Sequence, residues 1–293
     1  MKRLIIIIFS LILTFGCSTK TFPPESVKTP IKPAKIALVL GAGASKGFAH
    51  IGVIKILENN KIPVHMIVGT SAGSFVGSFY AYGFNAYQLQ KIALEIKKSD
   101  IVDLIFPDNG FIQGLKLESF VNKMLNNTVI EKLKIPFYAV ATDIQTGEEI
   151  VFGRGNTGIA VRASCSIPGV FTPVKIGNKF YVDGGVVSPV AVDAAKRLGA
   201  DVVIAVDISS DNQSPPPQTT VETLLQSVNI MYSKLAISQL AKADVVIKPK
   251  VGHIASYDFD KRHEAIFEGE RAALEALPKI NDIISKLKNE GRL

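Results

Sequence analysis

Gly69-Thr70-Ser71-Ala72-Gly73 sets a serine between glycines two residues to either side. The G-x-S-x-G pattern is weak by itself, and its setting gives it meaning. Residues 66–68 ahead of it read as a buried strand, and residues 72–82 behind it as a helix rich in small side chains. A serine at such a strand-to-helix turn is a nucleophile elbow, with its hydroxyl left exposed at the tip. The turn is sharp, so its flanks must be small, and Gly69 and Gly73 meet that need. The helix start also brings main-chain N–H groups and a positive dipole end to the place where an oxyanion would develop. The chemistry implied is acyl transfer through Ser71. The plainer reading makes Ser71 a helix cap and the glycines packing residues.

A second glycine-rich turn, Gly41-Ala42-Gly43-Ala44-Ser45-Lys46-Gly47, follows a short apolar run and precedes a helical pattern. It fails as a dinucleotide loop, because Lys46 stands where the third glycine of G-x-G-x-x-G belongs. It fails as a P-loop, because no Gly-Lys-Ser/Thr is present. It fits an oxyanion hole, in which glycines let main-chain N–H groups approach a tetrahedral intermediate and Lys46 adds positive charge. Gly41, Gly43, Lys46 and Gly47 are the residues expected there.

Ser71 needs a base. The histidines are His50, His65, His253 and His263. His50 and His65 read as structural. His253 lies in a late loop where a Ser–Asp–His triad would put its base, with Asp207 as the acid. The other candidate is Asp183, at the end of an apolar run and followed by Gly184-Gly185. Burial raises a carboxylate's pKa and lets it act as base directly. Cys165 reads as a buried structural thiol. No cluster with metal-ligand spacing is visible, so neither metal nor cofactor is expected.

The elements that must position these groups alternate. Strands are expected at 36–40, 66–68, 137–142, 150–152, 174–176, 180–182, 202–206 and 245–247. Helices are expected at 47–60, 72–82, 86–98, 117–125, 191–198, 221–243, 264–277 and 280–287, with loops at 99–114 and 211–218. Alternation of this kind implies an α/β fold, a three-layer α/β/α sandwich on a mostly parallel central sheet.

The chain has 293 residues, 47% of them hydrophobic and 20% charged, which excludes a disordered chain. Lys2 and Arg3 followed by apolar residues 4–15 form a signal-peptide pattern over residues 1–16. Gly16-Cys17 resembles the lipobox of bacterial lipoproteins, in which the cysteine is acylated. Thr14 and Phe15 depart from the usual lipobox residues. Loss of the two cations Lys2 and Arg3 takes the net charge from +7 to +5, suited to an anionic membrane surface. Basic residues are dispersed and no nucleic-acid-binding motif is present, so nucleic acid is not an expected partner. Residues 17–34 carry Pro23, Pro24, Pro30 and Pro33 and read as a tether, which leaves residues 35–293 for the folded domain. The expectation is an exported, membrane-anchored lipoprotein of the cell envelope.

Together, the glycine loop, the G-x-S-x-G elbow and Asp183-Gly184-Gly185 resemble the patatin-like phospholipase family in order and spacing. Gly47-Phe48-Ala49-His50-Ile51-Gly52-Val53 is similar to the family's helix after the loop. Ala141-Thr142-Asp143 and the stretch from Arg162-Ala163-Ser164 to Pro168-Gly169-Val170-Phe171 resemble family segments as well. The likeness spans roughly residues 35–206. It implies a Ser71–Asp183 dyad, an oxyanion loop at 41–47, and phospholipid, lysophospholipid or related lipid ester as substrate. Ala42 and Lys46 depart from the usual Gly and Arg, and Lys46 keeps the charge without the guanidinium fork. Two rivals stand beside this reading: an α/β-hydrolase esterase with a Ser–Asp–His triad, and a catalytically silent, membrane-tethered lipid-binding lipoprotein.

Overall fold

Residues 36–40, Ile-Ala-Leu-Val-Leu, are all apolar and all buried, the mark of a strand covered on both faces. This strand, β1 (Ile36–Leu40), is central to the sheet. The computed structural model describes residues 32–106, 109–209 and 216–293, of which Pro33–Leu293 form one unit. The expected signal peptide, Cys17 and most of the proline-rich tether lie outside the described residues, as does most of the loop expected at 211–218.

β1 is flanked in parallel by β2 (Met66–Thr70) and β7 (Val202–Val206). β3 (Phe137–Asp143) extends the parallel set beyond β2, and β8 (Val245–Ile247) extends it beyond β7. At one end the sheet turns antiparallel. β4 (Glu149–Phe152) and β6 (Lys179–Asp183) both pair with β3, and β5 (Val174–Ile176) pairs with β6. The order is β5-β6-β3-β2-β1-β7-β8, with β4 beside β3.

Alternate strand residues feed two cores. Ile36, Leu38, Leu40, Ile67, Ile204 and Val206 face α1 (Phe48–Asn59), α2 (Ala72–Tyr82), α3 (Ala86–Glu95), the short turn α4 (Lys98–Ile101), α5 (Leu115–Met124) and α9 (Arg262–Asn289). Ala37, Val39, Met66, Val68, Val203 and Ala205 face α7 (Val192–Arg197) and Ala236 of α8 (Thr220–Leu240). The result is a three-layer α/β/α sandwich on a mixed, mostly parallel sheet. α1 and α9 cross with a glycine on each helix. A Cβ on Gly52 would stand 2.0 Å from the Ile266 carbonyl oxygen, and one on Gly269 would stand 2.0 Å from that of Ala49.

The structure corrects the expected elements in three places. The two closing helices are one, α9, which runs through Pro278. Ala273 before the proline and Ile280 and Ile284 after it bury against one core, and this packing outweighs the lost bond. Leu274, whose carbonyl loses its partner, lies on the exposed side with Pro278, where water can satisfy it. The helix expected at 86–98 ends at Glu95, because Ile96 turns extended. A helix with no expected counterpart, α6 (Thr157–Ser164), is capped by Asn156, whose side chain accepts from the Ile159 N–H at 2.9 Å.

Candidate active site

Ser71 joins β2 to α2 in a backbone conformation that L-residues avoid, φ 54° and ψ −123°. Such strain persists only where the surroundings over-determine it, and here they do. A Cβ on Gly73 would lie 2.0 Å from the Leu40 carbonyl oxygen, and one on Gly69 would lie 2.5 Å from the Ser74 Cα. The elbow is thus wedged against β1 and its own helix. The Ser71 N–H donates to Ser164 Oγ at 2.9 Å, and Ser164 Oγ donates to the Val140 carbonyl at 2.6 Å. The Ser71 carbonyl accepts from the Ser74 N–H and Oγ at 2.8 and 2.7 Å.

Asp183 ends β6 and is completely buried. Its N–H donates to the Ser166 carbonyl at 2.8 Å, and its Oδ1 accepts the Gly185 N–H at 2.8 Å. Gly184 must lack a side chain, since a Cβ would sit 2.2 Å from the Val140 carbonyl oxygen. Burial pushes the Asp183 pKa up from 3.8 to about 6, against the opposing pull of the Ser71 hydroxyl, the Gly185 N–H and the Tyr232 phenol. The two hydroxyls are near enough to act on the carboxylate electrostatically, yet neither closes a hydrogen bond of normal geometry onto Oδ2. Ser71 and Asp183 are therefore brought together.

The glycine loop follows β1, and its residues Ala44–Gly47 form one 3-10 turn. Its main-chain donors are not equivalent. The Gly41 N–H is spent on the Val206 carbonyl, Ala42 on Pro189, Ser45 on Ser256 and Lys46 on Gly43. Gly43 and Ala44 are left with N–H groups that no described residue accepts. Ala44, at φ 49°, also lines the cavity beside Ser71. Of Gly41, Gly43, Lys46 and Gly47, Gly41 and Lys46 have their N–H groups in main-chain hydrogen bonds, and Gly47 lines the cavity together with Ala44. Gly41 and Gly47 are also close-approach glycines. A Cβ on Gly47 would be 2.6 Å from the Ala72 Cβ. Lys46 is set apart from the other loop residues. Its ammonium is wholly buried, unpartnered and off the cavity wall, and burial lowers its pKa to about 8 against the attraction of Asp207.

The histidines divide as structural groups. His50 is fully buried and held neutral, its pKa lowered by burial to about 4, and its Nε2–H donates to the Gly41 carbonyl at 2.9 Å. His65 Nδ1 accepts the Ile36 N–H at 3.1 Å. His253 is half-exposed and pairs with Glu264 at 2.6 Å. Asp207 Oδ1 accepts from the Ser209 N–H and Oγ. No histidine lines the cavity at Ser71, so the expected alternative of a triad through His253 and Asp207 has no support in the geometry.

That cavity holds about 310 Å³. Its walls are almost entirely apolar: Phe48, Phe75 and Phe79 on one side, Ile167, Val170 and Phe171 on another, with Val221 and Leu225 of α8 at the rim. Ser71 and Cys165 stand on its wall, while Asp183 lies behind Ser71, outside it. Cys165 is the buried thiol expected, its pKa driven far up by burial and by Asp183. Sequence reasoning missed Ser164 and Tyr232. Among the described residues no group of side chains could hold a metal ion, and no helix is long and apolar enough to cross a membrane.

The sheet order, the elbow and the glycine loop define a protein of the patatin fold. The patatin-like phospholipase family model matches residues 38–196, and the chain belongs to that family. An NTE family protein of Mycobacterium tuberculosis is 33% identical over 201 residues, which cover 66% of this chain and 56% of the relative. Mouse patatin-like phospholipase domain-containing protein 6 is 35% identical over 188 residues, 61% of this chain and 14% of the relative. The chain thus spans about half the length of the mycobacterial relatives it matches. Among solved structures, VipD from Legionella pneumophila superposes with a TM-score of 0.57 at 12% identity, covering 85% of this chain and 67% of that one.

Because the folded state binds the Asp183 proton more tightly than the unfolded chain, ionising this group works against the fold. The cost is absent below about pH 4, grows as pH rises and is complete above about pH 6. Asp183→Asn is expected to be more stable than wild type at pH 8, by up to about 3 kcal/mol. It should show no advantage at pH 4. Urea unfolding at the two pH values measures the difference.

Proposed function

We propose that this chain is a lipid acyl hydrolase in which Ser71 is the nucleophile and Asp183 its general base. The observation that carries the reading is the strained Ser71 on the wall of an apolar cavity, with a buried carboxylate of raised pKa directly behind it. Asp183 takes the Ser71 proton as Oγ attacks the ester carbonyl carbon. Negative charge gathers on the carbonyl oxygen, toward the free N–H groups of Gly43 and Ala44. The tetrahedral intermediate collapses, the C–O bond breaks, and Asp183 returns the proton to the departing alcohol. Water then attacks the acyl-enzyme with Asp183 again as base, and the fatty acid leaves. A base with a pKa near 6 is ionised and ready at neutral pH.

An apolar cavity of this size takes one acyl chain and leaves the polar part of the ester outside. Phospholipid, lysophospholipid and related lipid esters meet that description. The same reading takes Cys17 as an acylated first residue that holds the exported protein at a membrane of the cell envelope. The motif at residues 1–17 supports this.

Hydrolysis of a chain-length series of esters by wild type, Ser71→Ala and Asp183→Ala tests the chemistry. Both substitutions are expected to lower kcat by at least about 10³-fold, and wild-type kcat/KM should rise with acyl length until the cavity is full. Asp183→Ala at wild-type rate would move the base elsewhere. A wild type that binds fatty acid and cleaves no ester would make this a lipid-binding module. For the anchor, Cys17→Ser should move the exported protein from the membrane fraction to the soluble fraction; retention in the membrane would remove the lipidation.

A further inference from the structure

Tyr232 lies in the middle of α8, far in sequence from either member of the dyad. It is nearly fully buried, yet its phenol oxygen has no hydrogen-bond partner. Buried hydroxyls without partners are uncommon, and each asks for an explanation. The ring packs on Gly185, the second residue after the dyad's acid: a Cβ there would lie 2.3 Å from Tyr232 Cζ and 2.7 Å from its oxygen. The Gly185 N–H already fills Asp183 Oδ1. The other carboxylate oxygen, Oδ2, is the second orphan in the same buried space. The phenol is near enough to act on the Asp183 carboxylate electrostatically, so an unpaired donor and an unpaired acceptor lie close together behind Ser71.

We propose that Tyr232 is the positioning residue of the general base, its phenol O–H being the donor that holds Asp183 Oδ2 toward Ser71. The proposal rests on the reading of Asp183 as base. A hydroxyl hydrogen rotates freely about its C–O bond, and catalytic hydrogen bonds left long in an empty site tighten when substrate arrives. The phenol is suited to donate and not to take a proton, because burial and the Asp183 charge push its own pKa well up. It stays protonated wherever the enzyme works.

The groups facing the Asp183 carboxylate are few. They are the Ser71 hydroxyl from the start of α2, the Cys165 thiol from the end of α6, the Gly185 N–H from the following turn and the Tyr232 phenol from α8. Among these the Tyr232 phenol is the strong side-chain donor that takes no part in the reaction, the Cys165 thiol being a weak one. Its bond stabilises the anion, so it draws the pKa of the base down from where burial alone would set it. α8 also carries Val221 and Leu225 at the cavity rim. The element that touches the acyl chain is therefore the element that orients the base.

The test is Tyr232→Phe, which keeps the ring and removes the hydroxyl. The pH profile of kcat on a soluble short-chain ester should move its acid limb upward by about one pH unit, so that activity at pH 6 falls by about fivefold. KM and melting temperature should remain near wild type. If Tyr232→Phe fails to fold, Gly185→Ala pushes the phenol aside without removing it and should move the limb in the same direction. An unmoved acid limb in the folded variant overturns the proposal, even if overall activity drops, because a packing defect scales the profile without shifting it. Asp183→Asn is assayed alongside. If it retains activity, the assignment of the base is wrong; if it is inactive while the Tyr232→Phe profile is unshifted, only the role of Tyr232 is.

Discussion

The carbonyl of Val140 is the point on which the site depends. It receives Ser164 Oγ at 2.6 Å, and Ser164 in turn receives the Ser71 N–H. It also presses so close to Gly184 that no side chain fits there. One residue of β3 thus fixes both the elbow and the turn that presents Asp183. A buried main-chain carbonyl must find a partner, and here Ser164, which also holds the Ser71 N–H, supplies one. The strained backbone of Ser71 is held by this chain of bonds on one side and by β1, against Gly73, on the other. Relaxing any of them would let φ return to an ordinary value and carry the hydroxyl away.

Around that framework the cavity wall is almost entirely apolar, and the described residues place no histidine on it. Burial pushes the Asp183 carboxyl up, and the Ser71 hydroxyl, the Gly185 N–H and the Tyr232 hydroxyl pull against it, which leaves it at about 6. His50, neutral and fully buried, holds the Gly41 carbonyl from α1. Stability is given up for this arrangement, since an ionised carboxylate in an apolar pocket opposes folding.

Much of this was legible in the residues. The elbow declares itself because a strained turn tolerates only small flanks, and the strand β1 because a two-sided buried strand reads as unbroken apolar sequence. Asp183 was visible as a carboxylate at a strand end with glycines behind it. The family resemblance marked Arg162-Ala163-Ser164 without giving Ser164 its task of gripping the Ser71 N–H. The helix that carries it, α6, has only small and mixed residues and no clear period. Tyr232 was hidden for another reason: Ile230, Met231, Leu235 and Ile237 of α8 are exposed while Asn229, Tyr232 and Ala236 are buried, so the apolar pattern does not mark the inward face, and only the fold shows that it meets Gly185. The hydrogen bonding of the glycine loop was not legible either, because sequence counts glycines and only the fold shows that the Gly41 and Lys46 N–H groups have main-chain partners. α9 was split at Pro278 because local backbone cost is visible in sequence and the packing that overrides it is not.

The most direct measurement is the pH dependence of covalent labelling by a fluorophosphonate, with the site mapped by mass spectrometry. The account predicts a single adduct on Ser71, formed at a rate that rises through about pH 6 as Asp183 ionises and that collapses in Asp183→Asn. Labelling of another residue, or Ser71 labelling that is indifferent to Asp183, would contradict it.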